Sequence, residues 1–126
     1  MAQERLGTKR LVVGAHYGTM DFLAQRLTGV IMVLYTLILL VTYLFTPEMT
    51  YEGWRHLFAF KWGGLPTGQL LVTLFFLALA WHAWIGVRDI WMDYIKSTGL
   101  RIALQALTVL WLVASVIYFI QIIWSL

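Results

Sequence analysis

The chain has 126 residues, of which 61% are hydrophobic and 12% charged, with a formal net charge of +3 and no cysteine. Soluble domains are about 45–50% apolar and about 25% charged, so this composition indicates a membrane protein. The lack of cysteine excludes disulfides, thiolate metal sites and iron–sulfur ligation by this chain. The nine basic residues lie near the ends of apolar stretches and do not form a nucleic-acid-binding patch.

Three stretches without Asp, Glu, Lys or Arg predict the membrane spans: 27–45, 65–87 and 102–126. Each reaches the roughly 17–25 residues that a spanning helix needs. In lipid the backbone must satisfy its own hydrogen bonds, so the spans should be α-helical. We therefore predict an all-α membrane protein, a single membrane anchor domain over 1–126 with transmembrane helices at approximately 26–45, 66–92 and 102–125.

The segments outside the spans have their own signals. Residues 1–14 are polar and basic and predict an arm, and residues 15–25 predict a short interfacial segment before the first span. Pro47 ends that span, because proline and its preceding residue disfavour helix. Residues 50–60 are rich in aromatics and are expected on the outer interface. Two further breaks are predicted, a turn over 61–64 and a break at Gly99.

The distribution of Lys and Arg predicts the orientation. The N-terminal segment holds four basic residues and the segment assigned to the loop between the second and third spans holds three: Arg5, Lys9, Arg10, Arg26, Arg88, Lys96 and Arg101. The loop on the other side holds only Arg55 and Lys61. We predict a cytoplasmic N-terminus and a C-terminus on the outer side. The first 25 residues lack an apolar core with a small-residue cleavage site, so the first helix is expected to insert uncleaved.

The most informative residue is His82, which lies in the uncharged second stretch. A polar side chain at membrane depth is costly and usually has a partner inside a helix bundle. Neutral imidazole is also the commonest protein metal ligand. Ala78 and Gly86 lie one turn either side and allow close approach of a helix or a flat ligand. Two interpretations stand: an interhelical hydrogen-bonding histidine, or a haem ligand whose second axial histidine comes from another chain.

Charged and phenolic residues mark the cytoplasmic side of the spans. Arg26 begins the first span and is either a snorkelling interface cation or a clamp for an anion such as a haem propionate. Asp21 is either a salt-bridge partner or an interfacial residue. Asp93 and Tyr94 close the second span, and Tyr94 lies about 18 Å along a continuous helix from His82. A phenol and a carboxylate at headgroup depth suit hydrogen bonding and proton transfer to a quinone, and equally suit an ordinary interface.

The stretch HAWIGVRDIWMDYIKSTGLR, from His82 to Arg101, resembles the hydrophobic membrane anchor of bacterial succinate dehydrogenase, or complex II. The stretch DFLAQRLTGVIMVLY, from Asp21 to Tyr35, also resembles the first helix of that family. The chain departs from the pattern at Met20, where some members have a histidine. The third span is generic, but the resemblance extends over nearly the whole chain.

The resemblance implies a four-subunit succinate:quinone oxidoreductase of the bacterial inner membrane, serving the tricarboxylic acid cycle and respiratory chain. FAD and iron–sulfur clusters belong to two partners, the flavoprotein subunit and the iron–sulfur subunit. This chain and a second membrane anchor subunit hold haem b and quinone, and this chain is not catalytic alone. By position, His82 corresponds to one axial ligand of the haem iron and Arg26 to the propionate partner, while Tyr94 and Asp93 correspond to the quinone site.

Three alternatives remain at the level of sequence. A fumarate reductase anchor has the same architecture, although haem-free anchors of that kind lack the histidine in the span. A structural or accessory membrane subunit needs no cofactor, and His82 then only joins helices. A cytochrome b module of another dehydrogenase normally has more than one such histidine on a single chain.

Overall fold

The computed structural model describes residues 15–126, with side chains from residue 18 onward. The predicted arm over 1–14, with Arg5, Lys9 and Arg10, lies outside the described residues. The described part contains four helices: α1 (Ala15–Leu44), α2 (Tyr51–Ala59), α3 (Thr67–Tyr94) and α4 (Thr98–Trp124). Of these, α1 from Gly18 to Leu44, α3 and α4 are long and apolar enough to cross a membrane. The prediction of an all-helical chain with three spans is confirmed.

Helix α3 is the central element of the fold. Helices α1 and α4 pack mainly on α3, and the short helix α2 packs on α3 and α1. The most apolar window of α3 is also the most buried of the three, with 17% of its residues inside the protein against 0% and 6% in α1 and α4. A polar or small group on α3 is therefore the one best placed to meet another helix of this chain.

Two helix boundaries differ from the sequence prediction. Residues 15–25, predicted as a short interfacial segment leading into the first span, are part of α1, which therefore begins before the predicted helix start at 26. The predicted break at Gly99 is wrong, because the chain leaves helical geometry at Ile95 and re-enters α4 at Thr98, which places Gly99 in the first turn. The first N–H groups of a helix have no intrahelical partner, so glycine is tolerated there at little cost.

The connection between α1 and α3 contains the predicted turn and a helix. Thr50 caps α2, and its hydroxyl accepts a hydrogen bond from the Gly53 amide at 3.2 Å. Gly63 and Gly64 have φ of +59° and +83°, conformations that suit glycine, and reverse the chain between Trp62 and Leu65. The Gly68 amide then donates to the Phe60 carbonyl at 2.9 Å, which fixes the start of α3 against the end of α2.

Side-chain hydrogen bonds and ring contacts join α3 to α4. Trp91 donates from its indole nitrogen to the Thr108 hydroxyl at 3.0 Å. Phe76 and Phe119 stack with ring centroids 4.0 Å apart. Near the other end, the Gln69 amide donates to the Ile123 carbonyl at 3.0 Å. These contacts fix α4 against one face of α3, and α1 packs on another face of α3.

Candidate functional site

His82 lies between α1 and α3, and its ring contacts α1 through both nitrogens. The Nδ1 atom is 3.1 Å from the Thr28 hydroxyl and 3.2 Å from the backbone carbonyl oxygen of Gln25. The Nε2 atom is 3.2 Å from the side-chain nitrogen of Gln25. The interhelical hydrogen-bonding histidine considered from the sequence is therefore present, with partners that belong to this chain.

These contacts specify the tautomer of the imidazole. The Thr28 hydroxyl donates its single proton to the Ala24 carbonyl at 2.6 Å, so it can only accept from His82. A carbonyl oxygen can also only accept, so Nδ1 carries the proton. The Gln25 amide nitrogen donates, so His82 Nε2 accepts and carries a lone pair. This is the tautomer of an Nε2-ligating histidine, whose Nδ1–H is typically held by a carbonyl or carboxylate.

Small residues allow the helices to approach at this point. An added Cβ at Gly29 would lie 3.7 Å from His82 Cε1, and one at Gly86 would lie 3.9 Å from Gln25 Nε2. Ala78, one turn before His82, is buried with 7% of its surface exposed. Of the small residues that the sequence placed around His82, Gly86 thus lies at the α1–α3 seam, and Ala78 is buried.

The side-chain amide of Gln25 has a hydrogen-bond partner for its nitrogen but not for its oxygen. Its amide nitrogen donates to His82, whereas its Oε1 atom is buried and has no hydrogen-bond partner in the described part of the chain. A buried polar atom without a partner is costly and rare in folded proteins. The Gln25 side chain is therefore satisfied only in part beside the histidine.

Gln25 also lines an open recess of about 450 Å³ at the end of α1 and α3 predicted to be cytoplasmic. The charged residues of the recess are Asp21, Arg26, Arg88 and Asp89. His82 does not line it, and Gln25 lies between the imidazole and this space. The geometry thus connects His82 Nε2 to an open polar space through one flexible side chain.

The charges of the recess are partly neutralised by each other. The Arg88 guanidinium lies 2.7 Å from the Asp21 carboxylate and 3.0 Å from that of Asp89. Arg26 is exposed, and its guanidinium carbon lies 3.6 Å from the ring centroid of Phe22. Of the two interpretations of Asp21, the salt-bridge partner is therefore the one observed, and its cation is Arg88. Arg26 remains available to an anion.

Arg88 lies inside α3, so the prediction that it belongs to the loop between the second and third spans is wrong. Its side chain is 25% exposed and reaches across to α1. Together with Asp21 it connects the two helices about two turns from His82, counted at 3.6 residues per turn. Arg88 therefore contributes to the packing of the site and not only to the charge of a loop.

Asp93 and Tyr94 lie at the end of α3, in the position predicted from the sequence. Helix α3 runs without interruption from His82 to Tyr94, so the separation of about 18 Å along the helix holds. Both residues are exposed, Tyr94 by 79%, and neither lines the recess. Gln25 thus contacts His82 and shares the recess with Arg26, whereas the predicted quinone-binding pair lies outside the recess, at the exposed end of α3.

A second cavity, of about 460 Å³, lies between α1, α2 and α3 and has no link to these residues. Most of its lining is aliphatic or aromatic, with Tyr35, Thr42 and His56 as the polar members. The described residues contain no group of three or more His, Cys, Asp or Glu that could hold a metal ion. His82 is therefore a single donor, and a metal bound there needs further ligands from a cofactor or another chain.

Sequence reasoning missed Gln25 and Thr28 as partners of His82. A usable signal exists: Asp21, Gln25 and Thr28 are spaced by four and three residues, which places three polar side chains on one face of an otherwise apolar helix. His82, Ile85 and Arg88 repeat that spacing of three on α3. What the spacing does not give is which face of α1 meets which face of α3.

These features define a class: a multi-pass, all-helical membrane protein with one histidine held at a helix seam beside a polar recess. Residues 2–122 match the family described as Succinate dehydrogenase/Fumarate reductase transmembrane subunit. The chain is also 31% identical over 111 residues to the succinate dehydrogenase hydrophobic membrane anchor subunit of Coxiella burnetii, covering 85% of this chain and 89% of that protein. The chain belongs to the succinate dehydrogenase/fumarate reductase transmembrane subunit family, and the resemblance found in the sequence is confirmed.

Proposed function

We propose that this chain anchors a succinate:quinone oxidoreductase and shares the ligation of haem b, and the quinone-reduction site, with a second anchor subunit. The observation that carries the proposal is His82, fixed as the Nδ1–H tautomer at the α1–α3 seam in a chain of this family. Electrons from succinate then reach a lipid-soluble quinone at the membrane surface. The chain supplies binding groups and is not catalytic alone.

The residues present fit a haem. His82 offers the Nε2 lone pair as a ligand, and its Nδ1 is already held by a hydrogen bond. Gly29 and Gly86 place no side chain beside the imidazole and the Gln25 amide. The buried Gln25 Oε1 has no hydrogen-bond partner among the described residues. Haem b, when bound, takes up and releases single electrons. His82 Nε2 would hold its iron, and Arg26, free of any carboxylate among the described residues, would bind a propionate.

A haem held by His82 would need a second nitrogen donor, and we propose that another chain supplies it. His56 lies on α2 and is exposed. His16 lies on α1 twelve residues before Thr28, about 18 Å away along the helix. In this proposal the second histidine would come from a partner, which we assign to the second anchor subunit.

Tyr94 and Asp93 are the quinone-binding residues in this proposal. The Tyr94 phenol is an exposed donor at the end of α3 and can hydrogen-bond to a quinone carbonyl oxygen. The Asp93 carboxylate beside it can pass a proton from water to the reduced quinone. Both are exposed in the chain by itself, so the pocket is completed by partners. For this role we propose the iron–sulfur subunit, which also binds the flavoprotein subunit.

The excess of basic residues near the N-terminus and after α3 supports a cytoplasmic N-terminus in a bacterial inner membrane, with Tyr94 on the cytoplasmic side. That side is where soluble clusters and protons meet the membrane. The family name also covers fumarate reductase subunits, so a fumarate reductase anchor is the alternative within the same family.

A second candidate, a cofactor-free anchor, is favoured by one observation: both nitrogens of His82 already have partners within this chain. The two candidates differ in an optical spectrum. We expect the purified complex to show a reduced-minus-oxidised spectrum of b type that His82→Ala abolishes or alters while all subunits are retained. His56→Ala, which changes an exposed histidine on α2, should leave the spectrum unchanged. A wild-type complex without haem absorption would establish the cofactor-free anchor.

A further inference from the structure

We propose that Gln25 is a displaceable cap on His82: its side-chain amide occupies the ligating nitrogen before haem is bound and has to rotate away for the iron to bind. Gln25 is thus a positioning residue for cofactor insertion. This inference rests on the haem role proposed above for His82.

The first step is that the two contacts of Nε2 exclude each other. The Gln25 amide donates to the lone pair of His82 Nε2 over 3.2 Å. Metal ligation uses that same lone pair, and neutral imidazole has only one. Ligation at Nε2 would require the Gln25 amide to give up its hydrogen bond to His82, whereas Nδ1 would keep its partners, Thr28 and the Gln25 backbone carbonyl.

The second step is that the hydrogen bond from Gln25 stabilises the ligating tautomer of His82 while it occupies the Nε2 lone pair. Because the amide donates to Nε2, the proton stays on Nδ1, and the imidazole has the tautomer that iron requires before any iron arrives. The partner atoms on Nδ1 are held by helix α1 itself, one of them being a main-chain oxygen. Without the cap, the buried Nε2 lone pair would have no partner, which is costly.

The third step is that the Gln25 side chain can rotate into the adjacent recess. Its side chain lines the recess that contains Asp21 and Arg88, and its Oε1 atom has no partner where it now lies. An Arg88 guanidinium donor or an Asp21 carboxylate acceptor can satisfy the amide once it leaves His82. Gly86, whose backbone lies beside the amide nitrogen, has no side chain to obstruct that rotation.

The test measures haem insertion and release separately. The four-subunit complex is purified from haem-deficient cells, haemin is added, and the growth of Soret absorption gives the association rate; transfer of bound haem to apomyoglobin gives the dissociation rate. For Gln25→Leu we expect association about two- to tenfold faster, the equivalent of losing one hydrogen bond from the cofactor-free state. Dissociation should be unchanged, because the bound state lacks that hydrogen bond.

The controls separate capping from loss of structure. Gln121→Leu makes the same change on the exposed face of α4 and should match wild type in both rates. Gln25→Met repeats the test with an unbranched side chain in case leucine prevents assembly. Slower or unchanged association in both Gln25 variants, or faster dissociation, overturns the cap, since a residue that merely packs the seam would release haem faster when removed. A wild-type complex that takes up no haemin instead overturns the haem role of His82 itself.

Discussion

Replacing Thr28 by valine tests how the His82 ring is held, because valine keeps the shape of threonine and removes only the hydroxyl. Thr28 is buried, with 9% of its surface exposed, and its Oγ1 lies 3.1 Å from His82 Nδ1. The same Nδ1 lies 3.2 Å from the Gln25 carbonyl oxygen. The proton on Nδ1 therefore keeps one acceptor after the substitution.

Because the Gln25 carbonyl remains as an acceptor, the expected effect of Thr28→Val on haem dissociation is small. Removing the partner that orients a metal-bound histidine typically costs about 10–100-fold in metal affinity or activity. Losing one of two acceptors is better described by the net value of a single neutral hydrogen bond, about 0.5–1.5 kcal/mol, or roughly 2–12-fold. We therefore expect Thr28→Val to raise the haem dissociation rate by that smaller factor, and Thr28→Ser, which keeps the hydroxyl, to resemble wild type.

The assay follows transfer of haem from the purified complex to apomyoglobin, together with a redox titration of the complex. Loss of an acceptor from Nδ1–H makes the imidazole a weaker donor to ferric iron, so the midpoint potential of Thr28→Val should rise. Equal dissociation rates and potentials in the valine and serine variants would refute the claim that Thr28 orients His82. Complete loss of haem in Thr28→Val alone would refute the claim that the Gln25 carbonyl shares the proton.

Three further predictions concern the seams and the quinone site. Gly68→Ala places a Cβ 2.7 Å from the Phe58 carbonyl oxygen, so it should destabilise the complex by about 1–3 kcal/mol in thermal unfolding. Gly99→Ala has open space around the new Cβ, so it should stabilise the complex by about 0.4–1 kcal/mol. Equal effects of the two substitutions would contradict the packing described. A double-mutant cycle of Asp21→Asn and Arg88→Gln should give a coupling of about 1 kcal/mol, near the upper value for exposed pairs because both side chains are partly buried; a coupling of zero would remove the pair from the account of the seam. Tyr94→Phe should slow quinone reduction in a steady-state assay with the haem spectrum unchanged, and unaltered kinetics would rule out the phenol as a quinone ligand.

The spans were predictable because the membrane imposes a simple rule on the sequence. A long stretch without charge has to be helical in lipid, and the three uncharged stretches coincide with α1, α3 and α4. The helix ends were less predictable. Gly99 is typical of a break, but glycine in a first turn removes no intrahelical hydrogen bond. The polar residues over 15–25 indicate an interface, but they contain no proline or other helix breaker that would separate them from the helix that follows.

At the site, the sequence identified His82 and its small neighbours but not its partners. The apolar stretch makes a single histidine conspicuous, and spacing along α3 gives the small residues on its face. The contacts with Thr28 and Gln25 depend on the rotation and depth of α1 against α3, which packing of the two helices determines. The contact of Arg88 with Asp21 was not predicted for the same reason, since it depends on which face of α1 meets α3.

The side of the molecule that binds a partner follows from its polar groups and not from its exposed apolar surface. Most aliphatic and aromatic side chains of α1 and α4 are exposed, but lipid tails are as apolar as they are, so that exposure requires no protein neighbour. The recess is different, because charged groups at the ends of spans face protein or water. Arg26 there has no carboxylate partner among the described residues, and Gln25 connects the recess to His82 Nε2. If His82 shares a haem with a partner as proposed above, we expect that partner to contact this recess, because Arg26 and Gln25 are the polar groups beside the histidine that it could satisfy.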